Sequence, residues 1–269
     1  MGNAPYDNFY LENEVEDQFN SHLDLMRFCT VDDTLEGTDG MKRLINVYTA
    51  TDGTEKLAKG EGNSKSITVG HAQREYTIQL AQNRFEWFDE EAMADPMIVP
   101  TGMKHAGTDM FNTVNGDVFG ELKKASLTVE TAAFDFDAFA DAVALMNLEE
   151  GNDGVEIFAH VSRRAKAAVR KALKDDLKYI ESFVRTGYIG TVCGVNLYDK
   201  KDADDDAIYV ATKKAVTTFI KKGTEVEVIA KNIRSADDAN VRKNTAFTRK
   251  YYVPALTDET QVIKIALTA

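Results

Sequence analysis

The stretch "VRTGYIGTVCGVNLYDKKDADDDAIYV", residues 184–210, combines three glycines, a cysteine and a run of aspartates. Such a stretch could be a phosphate-binding loop, a metal-binding loop or part of a structural sheet. Its glycines, Gly187, Gly190 and Gly194, do not follow the G-x-G-x-x-G spacing, and a strand-like sequence rather than a helix-like one continues after them. We therefore interpret all three as structural glycines that relieve crowding within a strand.

The aspartates at residues 199–206 are dense enough to suggest a calcium loop. An EF-hand frame that starts at Asp202 puts Ala207 at position 6, where glycine is required. It also puts Lys213 at position 12, where a bidentate glutamate is required. The sequence therefore favours a solvated loop over a metal site.

Other chemical motifs are missing as well. The second glycine-rich segment, "GEGNSKS" at residues 60–66, has Ser64 where a P-loop needs its second glycine, and a strand pattern follows it. Cys29 and Cys193 fit no zinc or redox spacing, and there is no G-x-S-x-G motif. The histidines have no metal-ligand spacing; they are His22, His71, His105 and His160. We predict no catalytic, cofactor-binding or metal-binding residue.

The composition indicates a globular chain with an unusual beginning. Of 269 residues, 43% are hydrophobic and 28% are charged, which is typical of globular proteins. The net charge of −12 argues against a protein that grips nucleic acid, because neutralising phosphates requires clustered Lys and Arg. Residues 1–40 carry ten acidic side chains against the single Arg27. This composition predicts an extended N-terminal arm that needs a partner surface.

Residues 41–88 have the pattern of a long β-hairpin with a polar, glycine-rich tip. Tyr76, Ile78 and Leu80 alternate with polar residues, which is the period of a strand with one apolar face. A two-stranded ribbon is marginally stable in water by itself. The hairpin is therefore expected to lie on another surface, such as a second chain.

The rest of the chain mixes helices and strands, and the fold class is α+β. Residues 96–124 are predicted to form a long helix whose apolar residues recur every three or four positions. Further helices are predicted after the N-caps Asp135 and Ser162 and over "TKKAVTTFIKK", residues 212–222. Strands are predicted at "VEIFAHV", "GTVCGVNLY" and "EVEVIAK", and on both sides of a turn at residues 257–259.

This order of parts resembles the major capsid proteins of tailed bacteriophages, which have the Hong Kong 97-type fold. The segments that look most like the family lie between residues 155 and 265. They are "IFAHVSRRAKAAVRKAL", "RTGYIGTVCGVNLYDKK", "AIYVATKKAVTTFIKKGTEVEV" and "TRKYYVPALTDETQVIKI".

The resemblance implies a division of the chain into the parts of that fold. The expected parts are an N-terminal arm (1–40), an E-loop hairpin with its flanking strand (41–95), a spine helix with part of the P domain (96–134), an A domain (135–232) and C-terminal P-domain strands (233–269). Gly187, Gly190 and Gly194 would then lie in an A-domain strand. Contacts between subunits are expected at the E-loop tip, which consists of Lys59, Gly60, Glu61, Gly62, Asn63, Ser64, Lys65 and Ser66.

The function that the resemblance implies is structural. Copies of the chain would assemble into the pentamers and hexamers of an icosahedral phage head around double-stranded DNA. The expected partners are other copies of the chain, a separate scaffolding protein, a portal protein and DNA held by non-specific proximity. No enzyme activity, cofactor or membrane is expected, and the chain would be a virion component assembled in the host cytoplasm.

Two alternatives stay open from the sequence. One keeps the fold but makes the chain the shell of an encapsulin-type cellular compartment. The other is a small-molecule enzyme that uses Cys193 or the aspartate cluster.

Overall fold

The computed structural model describes residues 24–51, 53–146, 148, 155–174, 190–230 and 240–268. The described helices are α1 (Asp89–Ala94), α2 (Ile98–Leu122), α3 (Phe136–Leu145) and α4 (Arg163–Ala172). The described strands are β1 (Thr30–Asp32), β2 (Lys42–Ala50), β3 (Val69–Thr77), β4 (Gln79–Phe88), β5 (Leu127–Thr131), β6 (Ile157–Val161), β7 (Thr191–Val192), β8 (Val195–Asp199), β9 (Ala207–Thr212), β10 (Val216–Ile229), β11 (Lys243–Leu256) and β12 (Val262–Leu267). Residues 1–23 of the predicted arm and Gly187 lie outside the described residues.

Helix α2, which we call the spine helix, confirms the long helix predicted over residues 96–124. Its apolar stripe is buried, as the spacing predicts; the buried members include Met103, Met110, Val114, Val118 and Leu122. The first part of the helix packs on a four-stranded sheet, and its last turns pack on a six-stranded sheet. The spine helix is therefore the element that joins the two sheets.

The four-stranded sheet has the order β1-β10-β11-β4. Strands β10 and β11 are antiparallel and 14 residues long each, whereas β1 pairs with only three residues of β10. One face lies under the spine helix. On the opposite face, Phe219 and Ala255 pack with Leu35 and Ile78.

The six-stranded sheet has the order β5-β12-β9-β6-β8-β7 and mixes parallel with antiparallel pairs. Helices α3 and α4 cover one face, where Phe139 and Val169 pack against Ile208 and Ile263. Both helices begin at the predicted N-caps. The Asp135 carboxylate accepts a hydrogen bond from the Ala138 N–H at 2.9 Å, and the Ser162 hydroxyl accepts one from the Ala165 N–H at 3.0 Å.

The prediction of a helix over residues 212–222 is wrong, because these residues belong to β9, a turn and β10. The spacing of Ala215 and Phe219 fits one face of a helix, but residues 216–220 are β-branched or aromatic and favour a strand. Pairing with β11 along the whole of β10 outweighs the local helical spacing.

The prediction of a single hairpin over residues 41–88 is wrong for its last part, strand β4. Strands β2 and β3 form a two-stranded sheet, which we call the hairpin, but β4 pairs with β11 in the four-stranded sheet. The chain crosses between the two sheets at Ile78, whose N–H donates to the carbonyl of Met41 at 2.7 Å. Ile78 is only 4% exposed, so its side chain fixes the crossing.

The two C-terminal strands belong to different sheets, with β11 in the four-stranded sheet and β12 in the six-stranded sheet. Strand β10, expected within the A domain, likewise lies in the four-stranded sheet. The expected boundary between residues 232 and 233 falls outside the described residues.

The strand predicted over residues 190–198 is interrupted by a tight turn. Strands β7 and β8 form an antiparallel hairpin around Cys193 and Gly194, which have φ angles of +47° and +79°. An added Cβ at Gly194 would meet nothing within 4 Å. Gly194 is therefore needed for its left-handed backbone and not to relieve crowding, which corrects the sequence interpretation. Gly190 precedes the hairpin, and its carbonyl accepts from the Leu197 N–H at 2.9 Å.

Substituting Gly194 with valine is expected to lower the free energy of unfolding by about 1–2 kcal/mol, because the left-handed region costs an L-residue about that much. Urea unfolding of the unassembled chain measures the effect. Gly223→Val is the matched control, since Gly223 also has open space around it but no positive φ angle. Equal midpoints for the two variants would contradict this reason for Gly194.

Candidate functional site

Among the described residues, the contacts that anchor the hairpin to the rest of its own chain lie near its base. The ring of Tyr76 stacks on that of Phe219 with centroids 5.2 Å apart, and Ile45 packs into the same cluster. Arg43 forms an ion pair with Asp32 at 3.5 Å. These contacts orient the base of the hairpin against the four-stranded sheet.

Farther from the base, one face of the hairpin carries exposed apolar side chains among polar ones. Leu44, Asn46 and Tyr48 alternate along β2 and so share a face, on which Gln73 lies opposite Asn46. Leu44 is 51% exposed and Tyr48 is 65% exposed. Three further large apolar side chains are exposed toward the tip: Leu57, Ile67 and Val69. Exposed large apolar side chains that are concentrated on one element mark a candidate interaction site.

The tip that was predicted to contact other subunits lies at the far end of the hairpin and is exposed. It is held by its own polar contacts. The Ser64 N–H and hydroxyl both donate to the Glu55 carboxylate at 2.9 Å, and these hydrogen bonds hold the pKa of Glu55 below its usual value. The Asn63 side chain donates to the Gly53 carbonyl at 3.2 Å. The loop therefore has a defined shape without any partner chain.

Three carboxylates of the aspartate loop have partners within the protein. Asp199 pairs with Lys166 at 2.8 Å, and Asp205 accepts from the Ser162 hydroxyl at 2.6 Å. Burial acts to raise the pKa of Asp204, but hydrogen bonds from Lys123 and Tyr209 outweigh it and lower the pKa. Within the described parts of the chain, no three His, Cys, Asp or Glu side chains are grouped as metal ligands. Ion pairs and hydrogen bonds thus join the loop to α4, to the end of the spine helix and to β9.

The two cysteines lie in different parts of the fold. Cys193 lies in the β7–β8 turn, while Cys29 is buried and its sulfur lies 3.3 Å from the Thr218 hydroxyl. Burial raises the pKa of the Cys29 thiol, so this sulfur is a poor nucleophile. His160 is buried in a cage of aromatic rings, and neither of its ring nitrogens has a hydrogen-bond partner among the described residues. This arrangement offers no activated nucleophile among these groups.

The known proteins that this chain is similar to are capsid and particle proteins. No family model matches the chain. The major capsid protein of Staphylococcus phage phiMR11 is 23% identical over 261 residues, which cover 93% of this chain and 89% of that protein. Among solved structures, the mature capsid of bacteriophage PhiM1 matches with a TM-score of 0.71 at 14% identity and covers 92% of this chain and 88% of that one. A virus-like particle from Pyrococcus furiosus matches with a TM-score of 0.62 at 11% identity, covering 97% of this chain and 100% of that one.

The chain therefore has the Hong Kong 97-type fold of tailed-phage capsid proteins, as its sequence predicted. At the level of sequence it is similar to the major capsid protein of phage phiMR11. Among the described helices, none is long and apolar enough to cross a membrane.

Proposed function

We propose that this chain is a structural protein, the major capsid protein of a tailed bacteriophage. Copies assemble into the pentamers and hexamers of an icosahedral head, and the hairpin of each copy lies on its neighbour. The chain is a virion component without enzyme activity. Similarity to the phiMR11 major capsid protein over most of both chains supports this role.

The observation that carries the proposal is the exposure of Leu44 and Tyr48 on one face of the hairpin. A monomer gains nothing from side chains such as Tyr48 in water, whereas a shell buries them between subunits. Closed symmetric assemblies repeat one such contact many times, so a modest free energy per contact is sufficient.

The sheets suggest how the chain divides into the parts of the capsid fold. We assign the hairpin to the E-loop, the spine helix with the four-stranded sheet to the P domain, and the six-stranded sheet with α3 and α4 to the A domain. This assignment moves β10 to the P domain and β12 to the A domain, because each follows its sheet.

The expected partners follow from charge and from the family. A net charge of −12 suits a container whose wall must not hold the packaged double-stranded DNA tightly, so DNA is a neighbour by proximity only. A separate scaffolding protein and a portal protein complete the proposed head, and assembly takes place in the host cytoplasm.

Negative-stain microscopy of the purified chain, alone and with a scaffolding protein, tests the proposal. We expect capsomers or closed shells. A chain that remains monomeric under both conditions contradicts a capsid function.

Deleting the tip, residues 59–66, is expected to leave the core folded and to impair assembly or shell strength. The tip contributes exposed residues and local hydrogen bonds only, so the melting temperature of the unassembled chain should change little. Replacing the same residues with eight Gly and Ser residues is the control that keeps the loop length. Shells of normal number and strength from the deletion variant would refute an intersubunit role for the tip.

An encapsulin-type compartment is the second candidate, because the chain also matches a virus-like particle whose named source, Pyrococcus furiosus, is a cellular organism. Genes adjacent to the coding sequence distinguish the two functions. Portal and terminase genes would support the phage head, and a lone gene for a cargo enzyme would support the compartment.

A further inference from the structure

Strand β4 is one edge of the four-stranded sheet, and among the described strands only β11 pairs with it. Ten consecutive residues of β4 pair with β11 without a register shift, so this edge is regular over about 33 Å. Its sequence, "QLAQNRFEWF", contains no Lys or Pro. Folded proteins usually shorten, bend, charge or cover such an edge, because its free N–H and C=O groups can pair with another chain. The opposite edge of the same sheet follows that rule, since β1 has only three residues.

Two hydrogen bonds at the end of β4 show which of its backbone groups are free. The Asp89 N–H donates to the Arg242 carbonyl at 3.1 Å and so points toward β11. The Phe88 N–H donates to the Glu91 carboxylate at 3.0 Å and so points away from β11. The backbone groups of successive residues in a strand point to opposite sides, so each orientation repeats at every second residue. The other residues of β4 whose backbone groups point away from β11 are Leu80, Gln82, Arg84 and Glu86.

The side chains on the helix side of β4 leave this edge open to a second strand. The Phe85 ring packs over Gly102 of the spine helix, where an added Cβ would lie 2.3 Å from the ring. The ring therefore lies beneath the helix of its own chain and does not project from the edge. Asn83 is held in a similar way, because its side chain donates to the Ala106 carbonyl at 2.8 Å.

Arg84 and Glu86 are the two charged residues of β4, and their side chains share the sheet face opposite the spine helix. They form an ion pair at 3.3 Å, in which the Arg84 side chain is 61% exposed, and Glu86 also pairs with Lys243 at 3.0 Å. On the same face, Arg249 pairs with Glu227 at 2.6 Å. Other charged side chains beside β4 also have partners in their own chain: Asp89 with Asn244, Glu90 with Arg242, Glu91 with the Phe88 N–H and Asp109 with Asn83. The edge therefore offers one base and one acid, two residues apart, to a second strand.

We propose that β4 pairs with β4 of a second copy, in the antiparallel direction and across a twofold axis at Phe85. This contact is additional to the hairpin contact and does not depend on it. A contact of this symmetry requires a surface that complements itself. With the axis at Phe85, Arg84 of each copy lies directly opposite Glu86 of the other, which forms two cross-strand ion pairs. The two four-stranded sheets then join into one continuous sheet.

The charges also select this register over its two neighbours. Moving the axis to residue 84 would place Arg84 opposite Arg84, and like charges directly opposite are destabilising. Moving it to residue 86 would place Glu86 opposite Glu86, with the same consequence. With the axis at Phe85, the free backbone groups of Arg84 and Glu86 face each other, and the two facing pairs exchange about four hydrogen bonds.

Exchanging the charges tests the pairing. Arg84→Glu leaves two acids on each edge and Glu86→Arg leaves two bases, so each variant alone should dimerise about tenfold more weakly than the unmodified chain. An equimolar mixture of the two variants restores both opposite-charge pairs and should dimerise as the unmodified chain does. Sedimentation velocity of the unassembled chains over a concentration series measures these affinities. A mixture that stays as weak as its components overturns the proposal, and so do single variants that dimerise like the unmodified chain.

Disulfide trapping identifies the register and the occupant. In this register Gln82 of one copy faces Phe88 of the other with Cα atoms about 5.5 Å apart, which suits a disulfide. The background is Cys193→Asn, because asparagine tolerates the positive φ angle of that residue. A mixture of Gln82→Cys and Phe88→Cys should form a disulfide-linked dimer under mild oxidation, and neither variant should do so alone. A mixture of Gln82→Cys and Asn46→Cys is the control for a neighbour's hairpin on the same edge.

Trapping is done on the unassembled chain and on assembled particles, so it measures the pairing whether or not shells form. A dimer from the hairpin mixture in place of the Gln82–Phe88 mixture overturns the proposal, and so does the absence of a dimer from either mixture in both preparations. Failure to form shells contradicts the capsid function, whereas absence of the Gln82–Phe88 disulfide contradicts only the pairing of the two strands.

Discussion

Replacing Leu44 and Tyr48 with alanine is expected to raise the protein concentration needed for assembly by about thirty- to a hundredfold. Complete burial of such a side chain stabilises by about 1.5–3 kcal/mol, and here only the exposed half or so of each remains to be buried. The two changes therefore remove about 2–3 kcal/mol per subunit contact, and each 1.4 kcal/mol corresponds to about a factor of ten.

The same two changes are expected to leave the melting temperature of the unassembled chain nearly unchanged, because the lost surface faces water there. Light scattering over a concentration series measures assembly, and calorimetry measures the fold. Asn46→Ala with Gln73→Ala is the matched control, since this pair lies on the same hairpin face and is also exposed. If the polar pair impaired assembly as much as the apolar pair, the apolar face would not be the contact.

Acidification from pH 7 to pH 3 is expected to destabilise the fold by roughly 4 kcal/mol through His160 alone. Burial lowers the pKa of His160 from 6.5 to about 3, and the nearby Lys200 lowers it as well. The unfolded chain therefore binds this proton more readily than the folded chain. The stabilisation is complete above about pH 6.5 and is lost as the pH falls toward 3.

The variant His160→Phe keeps a ring among Phe28, Phe158 and Phe119 and removes the titrating group. Its free energy of unfolding should depend less steeply on pH between 6.5 and 4 than that of the unmodified chain. Chemical unfolding at a series of pH values measures this slope. His105→Phe, at an exposed position of the spine helix, is the matched control for the change from histidine to phenylalanine. Parallel curves for His160→Phe and the unmodified chain would contradict the role of His160.

Features that depend on local chemistry were predictable from the sequence. Asp135 and Ser162 were identified as N-caps because their side chains satisfy N–H groups three residues later, which needs no tertiary partner. The spine helix was predictable because one face of it is buried along its whole length. The order of these elements was enough to indicate the capsid fold.

Features that depend on strand pairing were not predictable. The chain leaves the hairpin at Ile78 without a glycine or proline, so nothing in the sequence marks the change of sheet. Val216 and Phe219 lie in a strand because β11 pairs with them, and a distant partner of this kind is invisible to local spacing.

The candidate site was only partly predictable. The polar tip was evident from its glycines, but the apolar face beside it was not. Apolar residues occur on both faces of β2: Leu44 and Tyr48 point to one side and Ile45 to the other. Alternation alone does not show which face the chain covers itself. The structure shows that Ile45 packs on the body and that Tyr48 is left exposed.

The shell function rests on apolar side chains of the hairpin that a single subunit leaves in water. Cryo-electron microscopy of particles assembled from the purified chain, with scaffolding protein where assembly needs it, tests this most directly. We expect Leu44 and Tyr48 of each subunit to be buried against a neighbouring subunit. Particles in which residues 42–77 touch only their own subunit, with both side chains still in solvent, would contradict it.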